Sequence, residues 1–299
     1  MKKQTKHRLC LVLACCLLLL GGLNTPSSNA QAQPKQKSTW FWDTPMIKDS
    51  AADILSFATA NGVTTIYLQM NQDVRPEYYK SFIRQATAKQ IEVHILGGSP
   101  KWALDSERSR LVTFIDWIKD YQTSAAPSER FKGIHIDVEP HVLGEWNSNR
   151  SALMKQWQSS ISFLVAGAKE LNLPITADIP FWLHTHNLPD NSMSMSRWIL
   201  SKVDAVVIMA YRDQANSIHN LALPEMTEAT ELGKKAIIAV ETKASNEGAF
   251  ITFYEEGTAF MNEQLKLVDV LAGKTPSYNG IAIHDYRSWK EMSDRTITP

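Results

Sequence analysis

Cysteine is almost absent from this sequence of 299 residues, and the three that occur (Cys10, Cys15 and Cys16) all lie close to its N-terminus. The remainder of the chain therefore has no thiol, which excludes disulfide bonds, cysteine nucleophiles and thiolate metal sites there. A domain without such cross-links depends on its apolar core, and this chain is long enough to bury a large one.

The sequence also lacks an apolar run long enough to span a bilayer comfortably, since the longest one covers only residues 9–20. That run follows a basic start (MKKQTKHR) and precedes small residues with an A-x-A pattern at Ala30 and Ala32. This order is typical of a secretory signal peptide. We therefore predict a signal peptide at residues 1–32, cleaved near Ala32, and a secreted or periplasmic protein. The alternatives are an uncleaved anchor and a lipoprotein signal acylated at Cys15, although the apolar run continues past that cysteine.

An excess of charge of one sign is missing as well. The chain has 31 basic and 31 acidic residues, and residues 1–32 hold four basic residues and no acidic one, so the rest keeps a formal charge of −4. Without a basic patch, we expect neither a nucleic acid nor, once the signal is removed, a membrane as a partner. We expect a monomer that begins with a short disordered lead-in at residues 33–37.

Short runs rich in β-branched and aromatic residues alternate along the chain with longer patterns of helical periodicity. Strands that alternate with helices pair in parallel, so eight repeats predict an α/β fold, a single (β/α)₈ TIM barrel over residues 38–299. An open doubly wound sheet would carry a glycine-rich turn after its first strand, and the segment WFWDTP has no glycine. The predicted strands cover residues 38–44, 63–70, 91–98, 131–139, 173–182, 203–211, 235–242 and 279–286.

The fourth predicted strand, within FKGIHIDVEPH (residues 131–141), alternates apolar and polar side chains. In a closed parallel barrel one side of each strand packs against helices and the other fills the lumen. The apolar set is suited to the helices, so we predict that His135, Asp137 and Glu139 face the lumen, with Glu139 nearest the rim.

Other strands carry polar or aromatic side chains in the same phase, at the ends that form the rim. Acids and imidazoles are costly to bury without partners, so their concentration here indicates an active site. Tryptophans near strand ends could stack on sugar rings, and we favour Trp146, which lies just past Glu139, as such a platform. The predicted substrate-binding residues are Gln69, His135, Asp178, Trp146, His284 and Tyr286.

Two nearby carboxyl groups at such a rim suit the hydrolysis of a glycosidic bond, which needs a proton donor and a second carboxylate. Glu139 is the predicted general acid, and Asp137 lies two residues before it on the same face. Tyr211 is predicted to form a hydrogen bond at the cleavage site. Glu241 ends the seventh strand across the mouth, where it could be the nucleophile or a clamp on the substrate.

Two segments resemble the family 18 glycoside hydrolases, the chitinase-like barrels. Gly133, Asp137 and Glu139 match the D-G-x-D-x-D-x-E signature of that family, and MAYRD (residues 209–213) is similar to its M-x-Y-D. The resemblance implies that Glu139 is the acid, while Asp137 and Tyr211 position an N-acetyl group of the substrate, which serves as the nucleophile.

The sequence also departs from that pattern. Lys132 and His135 stand where the family has its first two aspartates, and Arg212 separates Tyr211 from Asp213. A weaker resemblance links VEP (residues 138–140) and VET (residues 240–242) to the clan A retaining glycosidases, which use one glutamate after the fourth strand and one after the seventh. That resemblance implies a Glu139–Glu241 pair.

Two other functions remain open. His94, His135, Asp137, Asp178 and His284 could converge on a divalent ion in a metal-dependent hydrolase, although the first strand lacks the His-x-His pair of the amidohydrolase barrels. A barrel of this kind could also bind sugars without cleaving them. We expect a carbohydrate substrate, no cofactor and no metal.

Overall fold

The computed structural model describes residues 35–297, which form eight β-strands and nine α-helices. The predicted signal peptide at residues 1–32 lies outside this range. The strands are β1 (Gln36–Phe41), β2 (Thr65–Gln69), β3 (Glu92–Gly98), β4 (Gly133–Asp137), β5 (Ile175–Pro180), β6 (Ala205–Met209), β7 (Lys235–Glu241) and β8 (Tyr278–His284). The helices are α1 (Ala51–Ala60), α2 (Pro76–Ala88), α3 (Arg108–Ser124), α4 (Glu145–Ser148), α5 (Arg150–Glu170), α6 (Met195–Lys202), α7 (Ala215–Glu231), α8 (Gly257–Ala272) and α9 (Tyr286–Ile297).

All eight strands pair in parallel in sequence order, and β1 pairs with β8 to close the barrel. The predicted (β/α)₈ barrel is therefore confirmed, and each predicted strand overlaps an observed one. The first strand begins earlier than predicted, because Gln36 pairs with Gly280 and Lys37 pairs with Ile281. The prediction of disorder over residues 33–37 is thus wrong for these two residues, which help to close the sheet.

The strands have two buried faces, as the alternation in β4 predicts. Ile134, Ile136 and Val138 belong to the large apolar core between the sheet and the helices. The lumen holds a separate and smaller apolar cluster, against which Tyr211 packs. This inner cluster consists of Trp40, Tyr67, Leu96, Ala205, Val207, Ile237, Ala239 and Ala282.

Two glycines allow β3 and β4 to approach each other near the polar row. A Cβ atom on Gly133 would lie 2.7 Å from Nδ1 of His94, and one on Gly98 would overlap the main-chain carbonyl of Asp137. Gly98 and Asp137 are direct partners in the β3–β4 register. The missing side chain of Gly98 therefore sets how closely the backbone of Asp137 can approach β3.

No helix within residues 35–297 combines the length and the apolar character that crossing a bilayer requires.

Candidate active site

Asp137 and Glu139 lie at the C-terminal end of β4, where the strand gives way to the loop that leads to α4. Asp137 is the last residue of the strand, and Glu139 follows two residues later. Trp157, from α5, donates a hydrogen bond from Nε1 to the carbonyl oxygen of Val138 over 3.3 Å. This bond fixes the backbone between the two acids from the helix side, so both carboxyl groups remain over the lumen.

The pKa of each acid lies well above its ordinary value. Burial, followed by the charges of Asp137 and Asp178, raises the pKa of Glu139 to about 8. Burial and the charge of Asp178 raise the pKa of Asp137 to about 7, although His284 opposes that rise. Acids that are crowded together in a partly dry site resist ionisation, so a proton remains available at neutral pH.

Asp178, on β5, is held beside this pair by two neighbours. Its Oδ2 accepts a hydrogen bond from Nε1 of Trp40 over 3.1 Å and lies 2.8 Å from Nε2 of His135. Burial raises the pKa of Asp178 to about 8 and lowers that of His135 to about 3, so burial disfavours the charged form of both groups. The imidazole of His135 also stacks on Tyr67 with 3.7 Å between ring centroids, which fixes its plane.

Tyr211 follows β6 by two residues and packs against the inner cluster. Burial raises its pKa well above the ordinary value, and the charges of Glu241, Asp178, Asp137 and Glu139 add to that effect. The phenol therefore keeps its proton over the whole working range and can only act as a hydrogen-bond donor or neutral acceptor. Tyr211 therefore lies close enough to all four of these carboxyl groups for their charges to affect its pKa.

The carboxyl group of Glu241 is held by more hydrogen bonds than those of Asp137 and Glu139. Its Oε1 accepts hydrogen bonds from the main-chain N–H groups of Thr242 and Lys243 over 2.8 and 2.9 Å. Its Oε2 lies 2.9 Å from Nδ1 of His284. With both oxygens occupied in this way, the Glu241 carboxylate is suited to holding the imidazole of His284 in place.

His284, the last residue of β8, links this carboxylate to an indole ring on the rim. Nε1 of Trp42 donates to Nε2 of His284 over 3.2 Å, which requires a lone pair on that nitrogen. Burial alone would lower the pKa of His284, but the hydrogen bond with Glu241 and the charges of Glu241, Asp285 and Asp178 raise it. Protonation of His284 would therefore break its bond with Trp42.

One contact of the predicted acid, with His141, is not predicted from the sequence. Nε2 of His141 lies 3.3 Å from Oε2 of Glu139, and burial lowers the pKa of His141. The uncharged imidazole can donate a hydrogen bond to the Glu139 carboxylate after that residue has lost its proton. The only sequence signal was its position two residues after Glu139 in the same loop.

Two predicted binding residues, Trp146 and Tyr286, are largely buried. Trp146 is only 7% exposed, because His186 stacks on it and the guanidinium of Arg150 lies 4.5 Å from its ring centroid. Tyr286 packs against Phe41 in the core between sheet and helices, with 4.9 Å between centroids. The burial of Trp146 disfavours a sugar platform there, whereas Tyr286 also lines a cleft of about 520 Å³, so substrate contact at Tyr286 stays a prediction.

Gln69 ends β2 in the lumen phase, and its Oε1 is buried without a hydrogen-bond partner in the described part of the chain. The same holds for Oδ1 of Asp137 and Oδ1 of Asp178. Each of these buried oxygen atoms therefore keeps an unused position for accepting a hydrogen bond. Within residues 35–297 no three histidine, cysteine, aspartate or glutamate side chains are placed so that they could hold a metal ion together.

Solved structures similar to this chain share its barrel architecture. No protein-family model and no curated protein matches the sequence. A chitinase from Chromobacterium violaceum superposes with a TM-score of 0.55 at 11% identity, covering 89% of this chain and 99% of its own. A family 18 chitinase from Cycas revoluta, in complex with (GlcNAc)3, gives 0.53 at 14% identity, with 85% and 95% covered. The PgaB (BpsB) glycoside hydrolase domain from Bordetella bronchiseptica gives 0.55 at 11% identity, with 88% and 98% covered.

The chain has the fold of the chitinase-like family 18 barrels. At these identities the likeness shows the fold alone, because one barrel architecture supports many chemistries. The similar structures are chitinases and other glycoside hydrolases, so the fold is one on which glycosidic bonds are cleaved. What this chain itself does depends on its own rim residues.

Proposed function

We propose that this protein is a glycoside hydrolase that cleaves polymers of N-acetylated amino sugars, with Glu139 as the general acid. The observation that carries the proposal is the raised pKa of Glu139, about 8, in a crowded mouth next to Asp137. A carboxyl group that keeps its proton at pH 7 can protonate the oxygen of the leaving sugar, and general acids of this kind are tuned by such surroundings.

The second requirement is a nucleophile for the anomeric carbon. Both oxygens of Glu241 are occupied by His284 and by main-chain donors, which disfavours that carboxylate for the role. We therefore propose that the acetamido oxygen of the substrate attacks C1 as the C1–O bond breaks and the proton of Glu139 passes to the leaving oxygen. Water then attacks C1 and the bond between C1 and the acetamido oxygen breaks, which restores the acetamido group, while the Glu139 carboxylate accepts a proton from the water.

Asp137 and Tyr211 are the groups proposed to position the acetamido substituent. The Asp137 carboxylate would accept the acetamido N–H, and the Tyr211 hydroxyl, which keeps its proton, would donate to the acetamido oxygen. The resemblance of β4 and of MAYRD to family 18, and the (GlcNAc)3 named for the similar Cycas revoluta structure, support this class of substrate.

His135 explains how the site works without the middle aspartate of the family signature. The uncharged imidazole of His135 contacts Asp178 on β5, so the carboxyl group next to Asp137 comes from the neighbouring strand. A carboxyl group beside Asp137 is therefore supplied by β5, although β4 itself carries no second aspartate.

The test is hydrolysis of purified N-acetylglucosamine oligosaccharides, with cello-oligosaccharides of equal length as the comparison that lacks the acetamido group. We expect cleavage of the first series only, and a decline in kcat/KM as pH rises through about 8, where Glu139 loses its proton. Glu139→Gln should abolish turnover while sugar binding persists. Binding without turnover by the wild type would instead indicate a sugar-binding protein.

Two further variants distinguish the possible nucleophiles. Loss of activity in Asp137→Ala together with substantial activity in Glu241→Ala would support the acetamido mechanism. Equal cleavage of both oligosaccharide series, with Glu241→Ala inactive, would overturn it in favour of a Glu139–Glu241 pair. Because of its predicted signal peptide, we also propose that the enzyme acts outside the cytoplasm, which fractionation of the native host would test.

A further inference from the structure

Arg212 is the residue by which the loop after β6 departs from the family 18 pattern, since it separates Tyr211 from Asp213. The mechanism proposed above uses Tyr211 but gives no part to Arg212. The side chain of Arg212 is partly buried, and none of the ion pairs within residues 35–297 includes it. A partly buried cation without a carboxylate partner, next to a residue of the candidate active site, indicates a missing anion.

Three contacts hold the guanidinium group of Arg212 in place. Its Nη1 donates a hydrogen bond to the carbonyl oxygen of Tyr211 over 2.6 Å. Its central carbon lies 5.6 Å from the ring centroid of Phe181 and 5.2 Å from that of Phe250. The two rings restrict the plane of the guanidinium group, while most of its five N–H groups keep no partner in the described part of the chain.

This guanidinium group lies beside a cleft of about 440 Å³ that is lined by Tyr211 and by the loop after β7. Arg212 directly follows Tyr211, and it packs on Phe250, whose neighbour Ile251 also lines the cleft. The main-chain N–H of Asp213 donates to the carbonyl oxygen of Phe250 over 3.1 Å, so the loops after β6 and β7 are joined at this point. Arg212 therefore lies where these two loops meet at the edge of the candidate active site.

Lys243 supplies a second positive charge, because it lines the same cleft and is exposed. Its main-chain N–H donates to Oε1 of Glu241 over 2.9 Å, which fixes the start of the loop. Its ammonium group belongs to no ion pair within residues 35–297. Glu247 also lines the cleft, but it forms no ion pair with Lys243.

Two cations that lack carboxylate partners favour an anionic ligand over a neutral one. The planar fork of a guanidinium group presents parallel N–H donors that match the two oxygens of a carboxylate, and an ammonium group adds charge without that geometry. The raised pKa values of Asp137 and Glu139 also lessen the negative charge that such a ligand would meet near neutral pH. A neutral sugar chain would leave both cations without a counter-charge.

We propose that Arg212, assisted by Lys243, binds a carboxylate group carried by the substrate, so that the preferred polymer combines N-acetylated amino sugars with acidic groups. This inference rests on the proposed function, since it takes the bound chain to be the polymer cleaved at Glu139. The carboxylate can belong to an acidic substituent on an amino sugar or to a neighbouring uronic acid, because both present the same planar anion.

The experiment compares carboxylated oligosaccharides with their own methyl esters, which lack the charge. Peptide-free peptidoglycan strands carry the acid as a lactyl substituent, and hyaluronan fragments carry it as a uronic acid. The wild type should cleave one of these two acids with a kcat/KM about tenfold above that of its ester, as expected for a charge-assisted hydrogen-bonded pair at a partly exposed site. The acid that shows this preference identifies the source of the carboxylate.

Arg212→Gln should reduce the ratio of acid to ester to less than about twofold, because the variant loses the charge. Arg212→Lys should give an intermediate ratio, since an ammonium group keeps the charge but not the paired donors. The control is Arg110→Gln, the same change at an exposed position on α3, which should keep the wild-type ratio.

Ionic strength separates recognition of charge from a disturbed loop. Raising the concentration of NaCl from about 0.05 M to about 0.5 M should lower the ratio of acid to ester for the wild type but not for Arg212→Gln, because salt screens charges near the surface. A ratio that falls equally in both proteins would contradict the role of Arg212.

Calorimetric titration of acid and ester into Glu139→Gln and into the Glu139→Gln, Arg212→Gln double variant measures binding without turnover. If the wild type cleaves each acid and its ester equally well, the carboxylate site is refuted while the glycosidase proposal stands. If an acid binds more tightly than its ester through Arg212 but no oligosaccharide is cleaved by the wild type, the carboxylate site stands and the glycosidase proposal fails. Oligosaccharides that are neither bound nor cleaved overturn both.

Discussion

Replacing Glu139 by glutamine should stabilise the folded protein, and this effect tests the protonation state of the site without any substrate. Glutamine has nearly the same shape as glutamic acid but carries no charge at any pH. In the wild type the pKa of Glu139 rises from an ordinary value of 4.5 to about 8 on folding. Folding at pH 7 therefore requires the uptake of a proton by Glu139, which the variant does not need.

The size of the effect follows from that difference in pKa. A group whose pKa is higher in the folded state favours folding less as pH rises, from the unfolded pKa up to the folded one. Each pKa unit corresponds to about 1.4 kcal/mol, so Glu139 lowers the free energy of unfolding by about 3 kcal/mol at pH 7 and by less than about 1 kcal/mol at pH 5. Glu139→Gln should recover most of this difference at pH 7.

Urea unfolding of both proteins at pH 5 and pH 7, followed by tryptophan fluorescence, measures the difference in free energy. The matched control is Glu263→Gln on α8, an exposed position where the same chemical change should have no pH-dependent effect. If Glu139→Gln is no more stabilising at pH 7 than at pH 5, the carboxyl group of Glu139 is already ionised in the folded protein. Its proposed role as a proton donor at neutral pH would then be refuted.

Three further variants test the packing and the chemistry of the rim. Gly98→Ala should lower the free energy of unfolding by about 2 kcal/mol, because the new methyl group overlaps the backbone of Asp137. The control is Gly144→Ala, whose added methyl group meets nothing within 4 Å and should leave the free energy of unfolding nearly unchanged. Equal effects of the two substitutions in urea unfolding would contradict the proposed overlap at Gly98. Tyr211→Phe should lower kcat on N-acetylglucosamine oligosaccharides by about a hundredfold with KM little changed, and an unaltered kcat would remove its hydroxyl from the mechanism. Asp178→Asn should move the basic limb of the pH profile of kcat/KM to lower pH, because Asp178 ionises near pH 8 and its charge contributes to the raised pKa of Glu139, and an unmoved limb would show that the two acids are not coupled.

The alternation in residues 131–141 predicts correctly which side chains of β4 face the lumen. That prediction needs only two facts, the period of two along a strand and the presence of two buried faces in a closed parallel barrel. Ile134 and Ile136 pack toward the helices, and Asp137 lies on the lumen face at the C-terminal end of the strand, as the pattern indicates. The number and order of the strands follow in the same way from repeated local patterns.

Partners across strands could not be predicted in this way. His135 contacts Asp178 because β4 and β5 pair with His135 opposite Thr176, two residues before Asp178, and a register of this kind depends on the whole sheet. The pairing of Glu241 with His284 likewise depends on the meeting of β7 and β8. The sequence placed these residues at the rim but gave no indication of which of them would hold one another.

Loop residues were the least predictable. Trp42 directly follows β1 and Trp146 lies in the short helix α4 after β4, yet His186 and Arg150 cover Trp146, while Trp42 is exposed beside His284. Local periodicity is a property of the chain itself, so it determined the barrel and the side of each strand that faces inward. Burial and charge coupling arise only where distant segments meet, so the tertiary structure alone decided which acids have a raised pKa and which indole is exposed.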